Sequence, residues 1–321
     1  VAGAQSLPAS ACRAELAVVV RPKDLNTYQS VFGGYVMQRV DELATSLAAD
    51  ISGRAVVTAH LDRLTFSAGI RAFERMRLIA QATRTFRTSM EVRVRVLGED
   101  PLTGRQWQTS EAALTVVGLD QGGRPAALPQ IVPATPEEHA AYTLAESRRR
   151  ARLAARDLDA APPASPGPED AERLALESMS RIVHGRHAGE TGQASAGWIL
   201  GLADELAAIT ASRHAGTPTV TVAVDDVPFL RPVPAGDVVT FRAYLTATFR
   251  SSMEVRVDVW QRPRFGRTAA PVARCAFTYV ALGPDGRPGP VPPFLPRGEQ
   301  EAARAAAARQ RRARRGGGGQ A

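Results

Sequence analysis

Phe86-Arg87-Thr88-Ser89-Met90-Glu91-Val92-Arg93-Val94 returns 163 positions later as Phe249-Arg250-Ser251-Ser252-Met253-Glu254-Val255-Arg256-Val257. One residue differs, Thr88 against Ser251. The same offset relates Asp41-Glu42-Leu43-Ala44 to Asp204-Glu205-Leu206-Ala207, Asp62 to Asp225, Phe66 to Phe229, and Gly123-Arg124-Pro125 to Gly286-Arg287-Pro288. Chance does not hold one register across so many short matches. The chain is two copies of one domain, and a site is expected where the copies meet.

Each copy carries the same order of patterns. Glu15 to Val20 reads as a strand, and Pro22 to Phe32 as a polar irregular segment. Gly33-Gly34 opens a run with apolar residues at Val36, Met37, Val40, Leu43, Ala44 and Leu47, the spacing of a helix that ends near Ser52-Gly53. Strand-like runs follow at Ala55–Phe66, Glu74–Thr85, Ser89–Leu97 and Ser110–Leu119. In the second copy the helix is expected over Ala196–Ala211, and the strands over Thr219–Phe229, Asp237–Thr248, Ser252–Gln261 and Ala273–Leu282. The class is α+β: a long helix on an antiparallel sheet, twice, forming an intramolecular pseudo-dimer. The expected boundaries are 15–145 for the first domain, 146–172 for a linker and 173–296 for the second domain. Residues 297–321 are read as a disordered Arg/Gly tail.

Composition narrows the function. The net charge is +8, but the tail from Arg297 holds seven Arg and two Glu, which leaves the body near +3. A nearly neutral body argues against a nucleic-acid coat, and no apolar run is long enough to span a bilayer. Cys12 and Cys275 are the only cysteines, so no disulfide framework is implied. These signs point to a soluble cytoplasmic protein.

Asp204 is the first candidate for chemistry. The stretch Gly197 to Ile209 contains no Lys, Arg or His, so its helix should be largely buried, with at least one of Asp204 and Glu205 facing protein. A buried carboxylate without a cation costs several kcal/mol (on the order of the penalty for an unpaired buried polar group), and desolvation raises its pKa toward that of a useful base. A surface position for Asp204 is the alternative; Asp41-Glu42 at the matching place in the first copy weighs against it. Asn26, in the loop before the first helix, can donate to a carbonyl or hold a water. Its counterpart is Gly189, so the second copy lacks that amide. Gly33 and Gly34 stand at a helix start, where free N–H groups suit an oxyanion; the second copy has Ala196-Gly197 there. Arg87, Thr88, Ser89, Arg250, Ser251 and Ser252 form loop ends that suit a phosphate-bearing ligand, while Glu91 and Glu254 are expected to pair with arginines on a solvated sheet face. His184 and His187 form an isolated H-x-x-H pair without a further ligand at metal-binding spacing, and no metal is expected.

Several of these stretches resemble a known family, the hotdog-fold acyl-CoA thioesterases of the cytosolic acyl-CoA hydrolase type. The likeness rests on Arg21 to Asn26, Phe32-Gly33-Gly34, Val40 to Ala44, Val56 to Ala59 with Asp62 and Phe66, Arg87 to Val92, and Pro133 to Glu138 with Tyr142. The resemblance implies hydrolysis of acyl-CoA to fatty acid and CoA, with no cofactor beyond the CoA of the substrate. It implies a working site that pairs Asn26 with Asp204 across the repeats; the mirror site, Asp41 with Gly189, lacks its amide and is read as degenerate, with a binding role left to Asp41 and His187, Glu190 or Gln193 as the alternative source of a polar group. The acyl chain is expected along Val36, Met37, Val40 and Ile199. Related proteins assemble as threefold rings of such pairs, so a homo-oligomer, a trimer of double-domain chains, is implied. Other readings are an acyl-CoA-binding protein with a decayed site, and hotdog dehydratase chemistry, which wants a His that neither helix as read supplies.

Overall fold

The computed structural model describes residues 6–156 and 174–316. Its strands and helices run in the order β1 (Ser6–Pro8), β2 (Arg13–Val19), α1 (Gly33–Ser52), β3 (Val56–Leu61), β4 (Leu64–Thr65), β5 (Arg75–Thr85), β6 (Ser89–Glu99), β7 (Gln106–Gly118), β8 (Gln130–Val132) and α2 (Pro136–Arg156). The second repeat follows with β9 (Glu177–Ile182), α3 (Ala196–Ala215), β10 (Thr219–Val224), β11 (Val227–Pro228), β12 (Val238–Thr248), β13 (Ser252–Arg262), β14 (Ala270–Ala281) and α4 (Gly298–Gly316). The expected strand, helix and four-strand unit is therefore present twice, and the architecture is a pair of hotdog domains.

Each repeat builds a six-stranded antiparallel sheet, and each sheet borrows an edge from the other. The predicted strand Ala55–Phe66 breaks at Asp62-Arg63, so that β4 leaves its own sheet and pairs with β10, Leu64 opposite Val224. The second repeat breaks in the same register at Asp225-Asp226, and β11 pairs with β3, Val227 opposite Leu61. Each exchanged strand covers part of an edge, that of β10 or of β3, that would otherwise stand open to other pairing.

The two long helices lie against one another. Gly34 faces the Gly201 backbone and Gly197 faces the Gln38 backbone, so α1 and α3 run antiparallel. A Cβ on Gly34 would sit 3.0 Å from Gly201 Cα, which explains glycine at this crossing. The predicted apolar stripe of α1 is buried, and with Ile199, Leu200, Ala203, Leu206 and Ala207 of α3 it forms the centre of the core. Val92, Val94 and Val96 project from β6 to meet it, each worth ~1.5–3 kcal/mol of burial. Gly53 and Gly216, both left-handed (φ 60° and 65°), stop the helices by donating to Ala49 and Ser212 carbonyls. The second helix runs four residues beyond its predicted end at Ala211 and so includes His214, whose ring Nε2 lies 2.9 Å from the Pro292 carbonyl.

Two expectations about the chain's connectors need correction. The stretch from Glu146 to Arg156 completes α2, which packs on β5, so the first domain extends beyond 145; residues 157–173 lie outside the described residues. The tail read as disordered from Arg297 is helical over Gly298–Gly316, with 317–321 outside the described residues. The reason is the repeat itself. Arg148, Arg149 and Arg152 of α2 return at the same offset as Arg311, Arg312 and Arg315 of α4. In the first repeat Arg148 forms a paired contact with Glu91, and Arg152 holds Asp62 at 2.9 Å. In the second, Arg311 holds Glu254 at 2.6 and 3.0 Å and Arg315 holds Asp225 at 2.6 Å. The tail is thus the second repeat's copy of α2.

Candidate active site

The acid pair on each central helix divides by burial. Asp204 is 0% exposed and Asp41 is 3% exposed, while Glu205 and Glu42 face solvent. No cation pairs with Asp204 within ion-pair distance among the described residues. Its Oδ1 accepts from Thr221 Oγ1 at 2.9 Å and from the Tyr279 hydroxyl at 2.6 Å. Its Oδ2 has no full hydrogen bond, although the Gly34 N–H faces the carboxylate and helps to hold its charge. Burial outweighs these donors and pushes Asp204 up to about 6.

Gly33 and Gly34 are where the sequence placed them, at the first turn of α1, and the fold carries that turn to Asp204. A Cβ on Gly33 would lie 3.0 Å from Asp204 Oδ2. The start of α1, itself buried and carrying the positive end of the helix dipole, therefore lies directly beside this carboxylate oxygen. A water or a carbonyl oxygen placed there meets a base and hydrogen-bond donors together.

Asn26 sits in the loop that closes onto this turn: the Phe32 N–H donates to the Asp24 carbonyl at 2.9 Å. The Asn26 side chain is half-buried and shapes its own loop. Its Oδ1 accepts from the Tyr28 N–H at 2.8 Å, and its Nδ2 donates to Ser30 Oγ at 3.0 Å. No hydrogen bond joins it to Asp204 among the described residues. An amide carries two N–H bonds, so one remains after Ser30 is served. Gly189 makes the same backbone turn, donating to the Gln193 carbonyl at 3.0 Å, with no side chain to offer.

The mirror site around Asp41 is closed. Thr58 Oγ1 donates to Oδ1 at 2.6 Å and the Gly197 N–H donates to Oδ2 at 2.8 Å, so both oxygens are engaged. Burial raises the Asp41 pKa, against these two donors. His187, in the loop beside this site, stacks on Trp198 with 4.5 Å between ring centroids and accepts from Arg186 Nε at 3.1 Å.

The repeated Arg-Thr/Ser-Ser turns lie elsewhere. They join β5 to β6 and β12 to β13, beside the C-terminal ends of the helices rather than the Gly33 end. Arg87 and Arg250 are exposed there, Thr88, Ser89 and Ser251 are half-buried, and Ser252 accepts from Arg312 at 3.0 Å. Asp204 and the end of α3 are separated by ~16 Å at 1.5 Å per residue, so these groups belong to a different part of any ligand than the reacting bond. The face that Glu91 and Glu254 occupy is not the solvated one expected from sequence, although both do pair with arginines. Both are fully buried under α2 and α4.

Residues 28–104 and 191–264 match the model of the thioesterase superfamily, one segment in each repeat. An uncharacterized acyl-CoA thioester hydrolase of Zymomonas mobilis is 35% identical over 136 residues, covering 42% of this chain and 87% of that protein. The chain belongs to the thioesterase superfamily. The rat cytosolic acyl coenzyme A thioester hydrolase is 29% identical over 299 residues, covering 89% of this chain and 78% of the relative. Among solved structures, a hexameric acyl-CoA thioesterase in its apo form is 38% identical, with a TM-score of 0.45, covering 46% of this chain and 96% of the other.

Three side chains of this superfamily member escaped the sequence reading: Thr58, Thr221 and Tyr279. The threonines carried a signal, since they stand 163 positions apart one strand after each helix. Tyr279 carried none, because its counterpart is Val116 and comparison of the repeats highlights likeness.

Proposed function

We propose that the chain hydrolyses acyl-CoA thioesters to the free acid and CoA at one site, formed by the Asn26 loop and the Gly33-Gly34 turn of the first repeat with Asp204 of the second. The observation that carries this reading is a fully buried carboxylate whose Oδ2 closes no full hydrogen bond and lies beside the start of the other repeat's helix. Asp204 acts as the base on a water, or attacks the thioester carbon itself to give an acyl-aspartyl anhydride that a water then hydrolyses. Free N–H groups at the start of α1 take the negative charge that develops on the carbonyl oxygen. The second N–H of Asn26 orients the carbonyl or the water. The C–S bond breaks, the sulfur leaves as the CoA thiol after taking a proton, and the acid is released.

Arg87, Thr88, Ser89, Arg250, Ser251 and Ser252 remain candidates for the CoA phosphates, and Asp41 for a supporting role in binding. Val36, Met37, Val40 and Ile199 are each 2% exposed or less, so an acyl chain placed along them has to displace core packing. Assembly as a homo-oligomer and action in the cytoplasm complete the reading.

The test is thiol release from a panel of acyl-CoAs of short to long chain. Stoichiometric appearance of free CoA with enzyme turnover supports hydrolysis. Saturable binding of the same acyl-CoAs without thiol release would instead mark a binding protein.

A further inference from the structure

The two repeats differ at one buried position that touches the candidate base. On β10 and β14, Thr221 stands opposite Tyr279; on β3 and β7, Thr58 stands opposite Val116. Both threonines reach the aspartate of their own repeat's helix. Only the second repeat adds a hydroxyl beside the threonine.

Tyr279 is fully buried, and a buried phenol needs a partner. It finds two acceptors on one residue, Oδ1 of Asp204 at 2.6 Å and the Asp204 carbonyl oxygen at 2.8 Å. Thr221 donates to the same Oδ1. Two donors converging on one oxygen fix the carboxylate's rotation and leave the other oxygen directed at Gly33. In the first repeat Thr58 takes one oxygen of Asp41, and the Gly197 N–H takes the other.

We propose that Tyr279 is a positioning residue for Asp204, and that its presence in one repeat only adds to the Asn26 and Gly33 differences that favour the Asp204 side. The inference rests on Asp204 being the base. The hydroxyl stabilises the ionised carboxylate against the cost of its burial. The groups that bear on Asp204 are Tyr279 and Cys275 from β14, Glu205 from its own helix, the Thr221 hydroxyl from β10 and the Gly34 N–H from α1. None of these is a cation, so loss of the phenol hydroxyl removes a donor that no opposite charge replaces.

The experiment is steady-state hydrolysis of octanoyl-CoA from pH 5 to pH 10 by the full chain carrying Tyr279→Phe, with Asp204→Asn in parallel. The expected result for Tyr279→Phe is an acid limb of kcat moved upward by about one pH unit, the effect of losing roughly one hydrogen bond to the charged form. Near pH 5 kcat falls about tenfold, the size of a one-unit shift on the acid limb, activity recovers at high pH, and KM stays within about twofold. Tyr279→Val copies the residue of the first repeat and should show the same displaced limb with a lower Tm. An unchanged pH profile, or a loss equal at every pH, shows that the ring only fills space and overturns the proposal. Full activity of Asp204→Asn overturns the assignment of the base itself, a result distinct from a silent tyrosine beside an essential aspartate.

Discussion

The backbone N–H of Gly197 donates to Oδ2 of Asp41 at 2.8 Å and occupies the oxygen that Asp204 leaves open. The two acids occupy matching places on matching helices, and each faces the N–H of a matching glycine, but Gly34 closes no full hydrogen bond to Asp204 Oδ2.

Asp204→Asn is expected to lower kcat at least a hundredfold, the usual scale for losing a positioned base. Asp41→Asn should lower it less than tenfold. Thiol release from octanoyl-CoA measures both, and an equal loss in the two variants would contradict a single productive site.

Stability should carry the signature of the raised Asp204 pKa. Its folded value of about 6 lies above the ordinary 3.8, so the native state prefers the neutral acid. That preference is intact below pH 4 and is lost as pH rises through 6, at a cost of ~3 kcal/mol once the group is ionised. Asp204→Asn should therefore raise Tm at pH 8 and match the parent at pH 4. Thermal unfolding at the two pH values checks the sign.

Gly33→Ala tests the opening beside the carboxylate. The added methyl lies 3.0 Å from Asp204 Oδ2, with Thr221 Cβ at 3.3 Å and Phe66 at 3.4 Å, so it covers the oxygen at the cost of a small shift of these side chains, while the helical backbone accepts alanine. Activity is expected to fall at least tenfold with Tm within a few degrees. Gly34→Ala meets the Gly201 backbone at 3.0 Å and should lower Tm as well.

The C-terminal helix should prove structural. Arg311→Ala leaves Glu254, fully buried, without its bidentate partner, a loss on the order of 3–5 kcal/mol. Arg314→Ala, on the exposed face, should stay within about 0.5 kcal/mol. Denaturant unfolding of the two variants separates a docked helix from a dispensable tail.

The hotdog pair was legible because duplication turns weak patterns into strong ones. A helix stripe at Val36, Met37 and Val40 gains weight when a second helix follows in register. The Asp204 assignment drew on the same logic, since an uncharged stretch around one acid predicts burial whatever lies against it. The α4 helix was missed although Arg311, Arg312 and Arg315 stand in register with Arg148, Arg149 and Arg152. The glycine run after them reads as disorder by composition, and composition does not show that Arg311 and Arg315 reach buried acids of the sheet beneath. Glu91 and Glu254 were placed on a solvated face because strand alternation gives the side of a sheet, and not what covers that side.

Order along the chain was sufficient to establish two copies of a helix-on-sheet unit, because hydrophobic period and repeat offset are properties of neighbours in sequence. It also identified Asp204 as an acid in apolar company. Which oxygen of that acid remains open was decided only in three dimensions. That depends on Tyr279 and Thr221 arriving from adjacent strands and Gly33 from the other repeat, contacts between residues far apart in the chain whose distances are set by packing.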